Sequence, residues 1–280
     1  MKSTTQKLFS IDNIVTHLAT YKKQTITVSD SESIFRLSSN GVASSYNCEQ
    51  PIRSIAHSSD NALWIGMDST LSLFDYRANK MTQFGQFAAE EVYRIQPVRD
   101  NELLVACSRA ENVISLLDVR NPYKPLMNYT CHGAFVTKFF PLQGFFYSAD
   151  EDGNVYKLGY DSNQILNRVK FNQNQLLIDL DYSYNKDYFL VLLENNILKQ
   201  TETLVFDNIE NESTPYHQLI FCQNSQKTVF SNNAEVVFCD EICDEIEEYV
   251  KETDYDCQIR AFDTGVVFSD GGTILFNRME

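Results

Sequence analysis

Short apolar runs alternate with short polar breaks along the whole chain, and the breaks are too frequent for helices. One stretch reads Ile52-Arg53-Ser54-Ile55-Ala56-His57-Ser58-Ser59-Asp60-Asn61-Ala62-Leu63-Trp64-Ile65-Gly66-Met67. It runs on as Asp68-Ser69-Thr70-Leu71-Ser72-Leu73-Phe74-Asp75-Tyr76-Arg77. A second passes from His132 through Val136, Phe140 and Phe146 to Ser148-Ala149-Asp150-Glu151-Asp152-Gly153-Asn154-Val155-Tyr156-Lys157-Leu158. Each predicts three short strands joined by tight polar turns. Asn40-Gly41, Asp152-Gly153 and Gly271-Gly272 lie between apolar runs and mark hairpins, because two-residue turns need positive φ.

The pattern repeats. A first unit begins near Ile14 and uses Gln24 to Val28 and Ser33 to Leu37. Others begin near Ile52, Val92, Phe135, Leu177 and Tyr216, and a last one near Cys257. About seven units of about 40 residues match the period of four-stranded propeller blades. The predicted fold is therefore all-β, a β-propeller of about seven four-stranded blades, with residues 1–280 as one domain. The last unit has only three strands, and Lys7-Leu8-Phe9-Ser10-Ile11 has no partner of its own. Residues 1–11 are expected to supply its outer strand and close the ring, which removes free edges.

The second and fourth units resemble WD-repeat propellers. Asp68 to Asp75 is similar to that family's Asp turn and closing Trp-Asp, with Phe74 at the Trp position. His132 falls where the family has Gly-His, although Cys131 replaces the Gly. Ser148, Asp152 and Leu158 fall on its Ser, Asp and Trp positions. The resemblance implies that His132, Ser148 and Asp152 form a structural tetrad lacking its fourth donor. The same three side chains also invite a Ser-His-Asp hydrolase interpretation, and Leu117-Asp118-Val119-Arg120-Asn121-Pro122 followed by His132 is loosely similar to the WD propellers that are hydrolases, diphthine methylesterase among them. No Gly-x-Ser-x-Gly elbow accompanies Ser148. Phe74-Asp75-Tyr76-Arg77 and Leu117-Asp118-Val119-Arg120 are similar to the Trp-Asp-x-Arg of substrate receptors of cullin ubiquitin ligases, where the Arg docks on the adaptor. Arg77 and Arg120 would carry that role. Otherwise, Asp and Arg at a strand end bond locally within the turn.

Composition changes the picture in three ways. Phe (19) and Tyr (15) are abundant and favour strands, whereas Gly (10) and Pro (6) are few, so Asn, Asp and Ser must make many turns. The formal net charge of -15 argues against nucleic acid as a direct partner and permits a basic protein. The seven cysteines are scattered and odd in number, which fits a reducing cytosol or nucleus. Neither an apolar leader after Met1 nor a run long enough for membrane insertion is read in the chain.

Ten carboxylates lie between Glu235 and Asp256, opposed by Lys251 alone. Residues 240–256 are expected to form an acidic insertion, with Asp244, Glu245, Glu247 and Glu248 as a protein-binding surface for a basic partner. Ile242, Ile246, Tyr249 and Val250 also fit an outer strand. Cys239 and Cys243 are spaced for one helix face, but no second pair or His accompanies them, so no metal is expected. Trp64 is expected in the core, and Asn121-Pro122-Tyr123-Lys124-Pro125 as an extended link. No phosphate loop, dinucleotide fingerprint or other cofactor motif occurs. The predicted function is a non-catalytic interaction scaffold, a subunit of a larger cytosolic or nuclear complex.

Overall fold

The computed structural model describes residues 4–21, 25–38, 41–99, 101–107, 112–121, 123–171, 176–183, 188–193, 196–200, 205–210, 218–222, 227–231, 235–239, 246–252, 259–262, 265–270 and 273–278. All regular structure among them is β-strand in antiparallel sheets. β1 (Thr4–Ser10) precedes a four-stranded sheet of β2 (His17–Tyr21), β3 (Thr25–Ser29), β4 (Ser33–Ser38) and β5 (Gly41–Asn47). Next come β6 (Ile52–Ser59), β7 (Ala62–Asp75), β8 (Lys80–Arg99), β9 (Glu102–Cys107), β10 (Ile114–Asp118) and β11 (Met127–Tyr129) in one six-stranded sheet. A four-stranded sheet follows, of β12 (Val136–Pro141), β13 (Phe145–Asp150), β14 (Asn154–Gly159) and β15 (Ile165–Lys170). Another holds β16 (Leu177–Ser183), β17 (Tyr188–Leu193), β18 (Asn196–Gln200) and β19 (Val205–Glu210). Then come β20 (Gln218–Cys222), β21 (Lys227–Ser231), β22 (Glu235–Cys239) and β23 (Ile246–Glu252). The last sheet contains β24 (Ile259–Phe262), β25 (Gly265–Asp270) and β26 (Thr273–Arg278), with β1 on its outside.

β1 pairs with β26 from Thr4 opposite Arg278 to Ser10 opposite Thr273. The orphan N-terminal strand thus completes the three-stranded final unit. Asp152-Gly153 turns between β13 and β14, whereas Asn40 and Gly271-Gly272 lie outside the described residues. Gly153 has φ of 76°, the left-handed conformation that its hairpin requires.

Two elements differ from expectation. The second and third units share one strand. β8 pairs with β7 as far as Glu91 and with β9 from Val92 onward. The expected break survives only as an irregularity within this strand: pairing with β7 passes from Gln86 opposite Thr70 to Glu91 opposite Asp68, so residues 87–90 stand against the single residue Ser69. The acidic segment is the other case. Residues 246–252 are not part of an insertion; they form β23, the outer strand of its sheet, with Tyr249 opposite Val237. A carboxylate-rich strand suits an edge with one neighbour, where charge resists further pairing.

The core lies between successive sheets. One cluster joins Ile34 of the first sheet to Ile52, Leu63, Ile65 and Phe74 of the next. A second joins Leu104, Ile114 and Tyr129 to Phe139, Phe146 and Leu158. Beyond it, Phe140, Tyr147 and Val169 pack against Leu180, Tyr182 and Phe189. Middle strands are therefore covered on both faces, and β3 is buried at every position. This explains why apolar runs replace strict alternation in them. Trp64 is 2% exposed and meets Phe84 edge-on, as core packing predicts.

First strands meet one another in succession: β2 against β6, β8 against β12, β12 against β16, β16 against β20, β20 against β24, and β24 against β2. Between β6 and β8, Ser54 Oγ donates to the Val92 carbonyl at 2.8 Å. Gly66 makes this approach possible, because a Cβ there would collide with both the Val92 oxygen and Ser54 Oγ. In four units the ladder shifts register at the start of the first strand, at Ile52/Ser54, Val92/Arg94, Val136/Lys138 and Leu177/Asp179. Such bulges re-aim side chains.

Candidate functional site

The β13–β14 hairpin builds a closed polar network. Ser148 and Asp150 lie two residues apart on β13, so they face the same side. His132, in the link before β12, reaches both: Nδ1 lies 2.9 Å from Asp150 Oδ2 and Nε2 lies 2.7 Å from Ser148 Oγ. The Asp150 carboxylate also accepts from the Asn154 backbone N–H at 2.9 Å and from the Asn154 amide at 2.9 and 3.1 Å. Asn154 in turn accepts from the Arg168 guanidinium at 2.7 Å. The Tyr156 ring stands edge-on to His132 with centroids 4.7 Å apart.

His132 and Ser148 come together as the tetrad requires, but Asp152 does not join them. Asp152 is exposed in the turn, and Asp150 takes the acid position. The period of two from Ser148 is the signal that selects Asp150. Asn154 and Arg168 were not anticipated from the sequence. The first is legible as a turn residue four positions after an Asp, whereas the second depends on the β14–β15 register.

Asp150, His132 and Ser148 are connected in the order of a hydrolase relay. Yet the His132 and Asp150 side chains are 0% exposed, and Ser148 is equally buried in mid-sheet. The network instead fastens the hairpin to the link preceding its sheet. The first unit carries a looser version. His17 Nδ1 lies 3.2 Å from Ser29 Oγ, while Asp30 accepts from the Glu32 N–H and from Asn13 Nδ2.

Arg77 and Arg120 sit at strand ends and bond locally. Asp75 accepts the N–H groups of Arg77 and Ala78. The Arg77 guanidinium meets the Asn61 side-chain oxygen at 3.1 and 3.2 Å in the amide orientation that satisfies both groups. Arg120 doubly engages Asp118, whose carboxyl its side chain and backbone hold down to about 2. Asp244 and Glu245 lie outside the described residues, as does Cys243, while Glu247 and Glu248 belong to β23. Among the described residues, no group of His, Cys, Asp and Glu is arranged to hold a metal. Burial pushes the Cys48 and Cys131 thiols up to about 11, which keeps them protonated. No helix among the described residues is long and apolar enough to cross a membrane.

A cavity of about 600 Å³ lies along the first strands of the first five units. Arg53, Arg94, Lys138 and Asp179 line it, as do Tyr93 and Phe135, whose rings stack with centroids 4.1 Å apart. Lys138 Nζ meets Asp179 at 2.8 Å. Arg53 meets Asp68 at 2.7 Å and Glu91 at 2.9 Å.

His57 closes one end, near the rings of Tyr21 and Tyr76. Among the described residues, neither of its ring nitrogens finds a hydrogen-bond partner. Burial lowers its pKa from 6.5 to about 4; the Ser59 backbone, outside good hydrogen-bonding geometry, pulls the other way. Unfolding releases this depression, so the unfolded imidazole takes up a proton below 6.5 while the folded one waits until about 4. Stability should fall as pH drops through that window, by about 3 kcal/mol from this group, and gain nothing from it above. His57→Phe should shrink the difference in urea-unfolding stability between pH 7 and pH 4.5. An undiminished difference would contradict the assignment.

No protein-family model matches the chain, and no curated protein matches it.

Proposed function

We propose that the sheets form a seven-bladed β-propeller and that the chain is a non-catalytic interaction scaffold of the WD-repeat kind. Three observations support the ring. Partition of β8 at Glu91/Val92 gives seven four-stranded units. Their first strands touch in succession and return from β24 to β2. β1 joins the two chain ends within one sheet.

Exposed apolar side chains at one end of the third and fourth units carry the scaffold assignment. Tyr123 is 78%, Leu126 53%, Ile165 50% and Leu166 53% exposed. Leu126 precedes Met127, which packs on the cluster containing Leu158, and Ile165 is the strand partner of Leu158. The two units are further joined there by Tyr129 OH donating to the Gly159 carbonyl at 2.9 Å. Apolar surface gathered in this way suits a permanent protein partner. A basic partner would also suit the acidic stretch around β23. Residence in a cytosolic or nuclear complex follows from this role. Arg77 and Arg120 are engaged within their own turns, which favours a scaffold over a ubiquitin-ligase receptor.

In native extract the chain should elute well above its own 32.2 kDa, together with defined subunits. Leu126→Asp combined with Ile165→Asp should return it to monomer size while leaving the melting of the purified chain nearly unchanged. Wild-type chain eluting alone at its own mass would overturn the proposal.

A further inference from the structure

We infer that the cavity along the first strands is a binding site for a small organic phosphate. Arg53, Arg94 and Lys138 come from three different strands, β6, β8 and β12, and converge on one space. The repeat produces part of this convergence. Arg94 and Lys138 each follow the register shift at the start of their strand, so they occupy matching positions in successive units. Ser54 and Asp179 occupy the same position on β6 and β16. In a chain with a net charge of -15, the described lining of this cavity has three cations against one carboxylate, Asp179.

Pairing divides the work among the cations. Asp179 holds Lys138, and Asp68 with Glu91 holds Arg53, so both heads are set in place before a ligand arrives. Arg94 has neither an ion pair nor a hydrogen bond among the described residues, and its side chain is exposed. Its planar fork therefore keeps every donor free for a bidentate bond to an oxyanion. Thr20 and Gln96 line the same space as neutral polar groups.

The dimensions point beyond a bare ion. A volume of about 600 Å³ lies in the range of small-molecule sites and far exceeds what one phosphate fills. The stacked Tyr93 and Phe135 supply an apolar wall for the organic part. The ligand class that matches both walls has one or more phosphates for Arg94 and a carbon skeleton or ring for the aromatic side.

The inference goes beyond the scaffold role and is tested on the purified chain alone, so its failure leaves the assembly test untouched. Pyrophosphate serves as the probe, titrated into the full chain by calorimetry. Saturable one-to-one binding is expected, weakening as salt rises. Arg94→Gln should lower affinity by about tenfold or more, with melting unchanged because the side chain has no partner to lose. Arg120→Gln, in the turn after β10, should bind as the wild type does. Thr20→Glu, which puts a carboxylate into the cavity from β2, should abolish binding independently of Arg94. Absence of saturable binding, full affinity in Arg94→Gln or Thr20→Glu, or equal loss in Arg120→Gln would each overturn the assignment.

Discussion

A chain lacking residues 1–11 should lose soluble, cooperative folding. The reason is the edge it uncovers. β1 covers β26 along the length of both strands, from Thr4 opposite Arg278 to Ser10 opposite Thr273. Without it the ladder groups of β26 lose their partner, on a strand that carries Ile274, Leu275 and Phe276 in sequence. Leu275 is 7% exposed with the sheet complete. A bare edge of this composition invites pairing with another chain. The deletion also removes the strand that hydrogen-bonds the start of the chain to its end, so the final sheet loses its longest-range ladder. Size-exclusion chromatography and thermal melting of the truncated chain check this. A synthetic peptide of residues 1–11 added during refolding should restore the monomer, because strand addition to an open edge is sequence-matched here. A soluble truncated monomer that melts like the full chain would sink the prediction.

Among single substitutions, Asp150→Ala should be the most damaging in the polar network, at about 3 kcal/mol or more. Asp150 is the common acceptor for the Asn154 N–H, the Asn154 amide and the His132 ring. Its removal leaves all of these inside the protein, where water cannot replace the lost bonds. Asp152→Ala, two residues away and exposed, should change stability by less than about 0.5 kcal/mol. Urea unfolding of the two variants side by side decides the matter. Similar losses, or a larger one for Asp152→Ala, would mean that Asp150 does not organise the hairpin.

The strand pattern was legible because the turns are chemically marked. Asp152-Gly153 predicts its hairpin, and the unpartnered Lys7 to Ile11 predicts a strand in need of a neighbour. Where such marks are missing, sequence reading goes astray. The break expected before Val92 is reduced to an irregularity at residues 87–90 inside one strand, because Lys80 to Arg99 holds no Asn, Asp or Ser to make a tight turn. Residues 240–256 looked like an insertion because their charge outweighs their strand signal, and the alternative of an outer strand prevails over 246–252; pairing of Tyr249 with Val237 is a long-range fact. In the candidate sites, the identity of His132 and Ser148 was readable from family spacing. The family alignment slid past Asp150 to Asp152, although alternation along β13 alone favours the former. Arg94 and Lys138 could not be connected by sequence at all. That both line one cavity depends on two bulges and on the way neighbouring sheets stack, and neither leaves a local signature.

The shared strand β8 has an evolutionary consequence. Repeat proteins change length by gaining or losing whole units, and this requires a seam at each unit's boundary. The seam between the second and third units lies inside a single strand from Lys80 to Arg99, which pairs with β7 as far as Glu91 and with β9 from Val92. Excision or duplication of either unit alone would cut that strand and leave half a ladder on each side. A change of length that adds or removes one of these two units alone must therefore rebuild that strand.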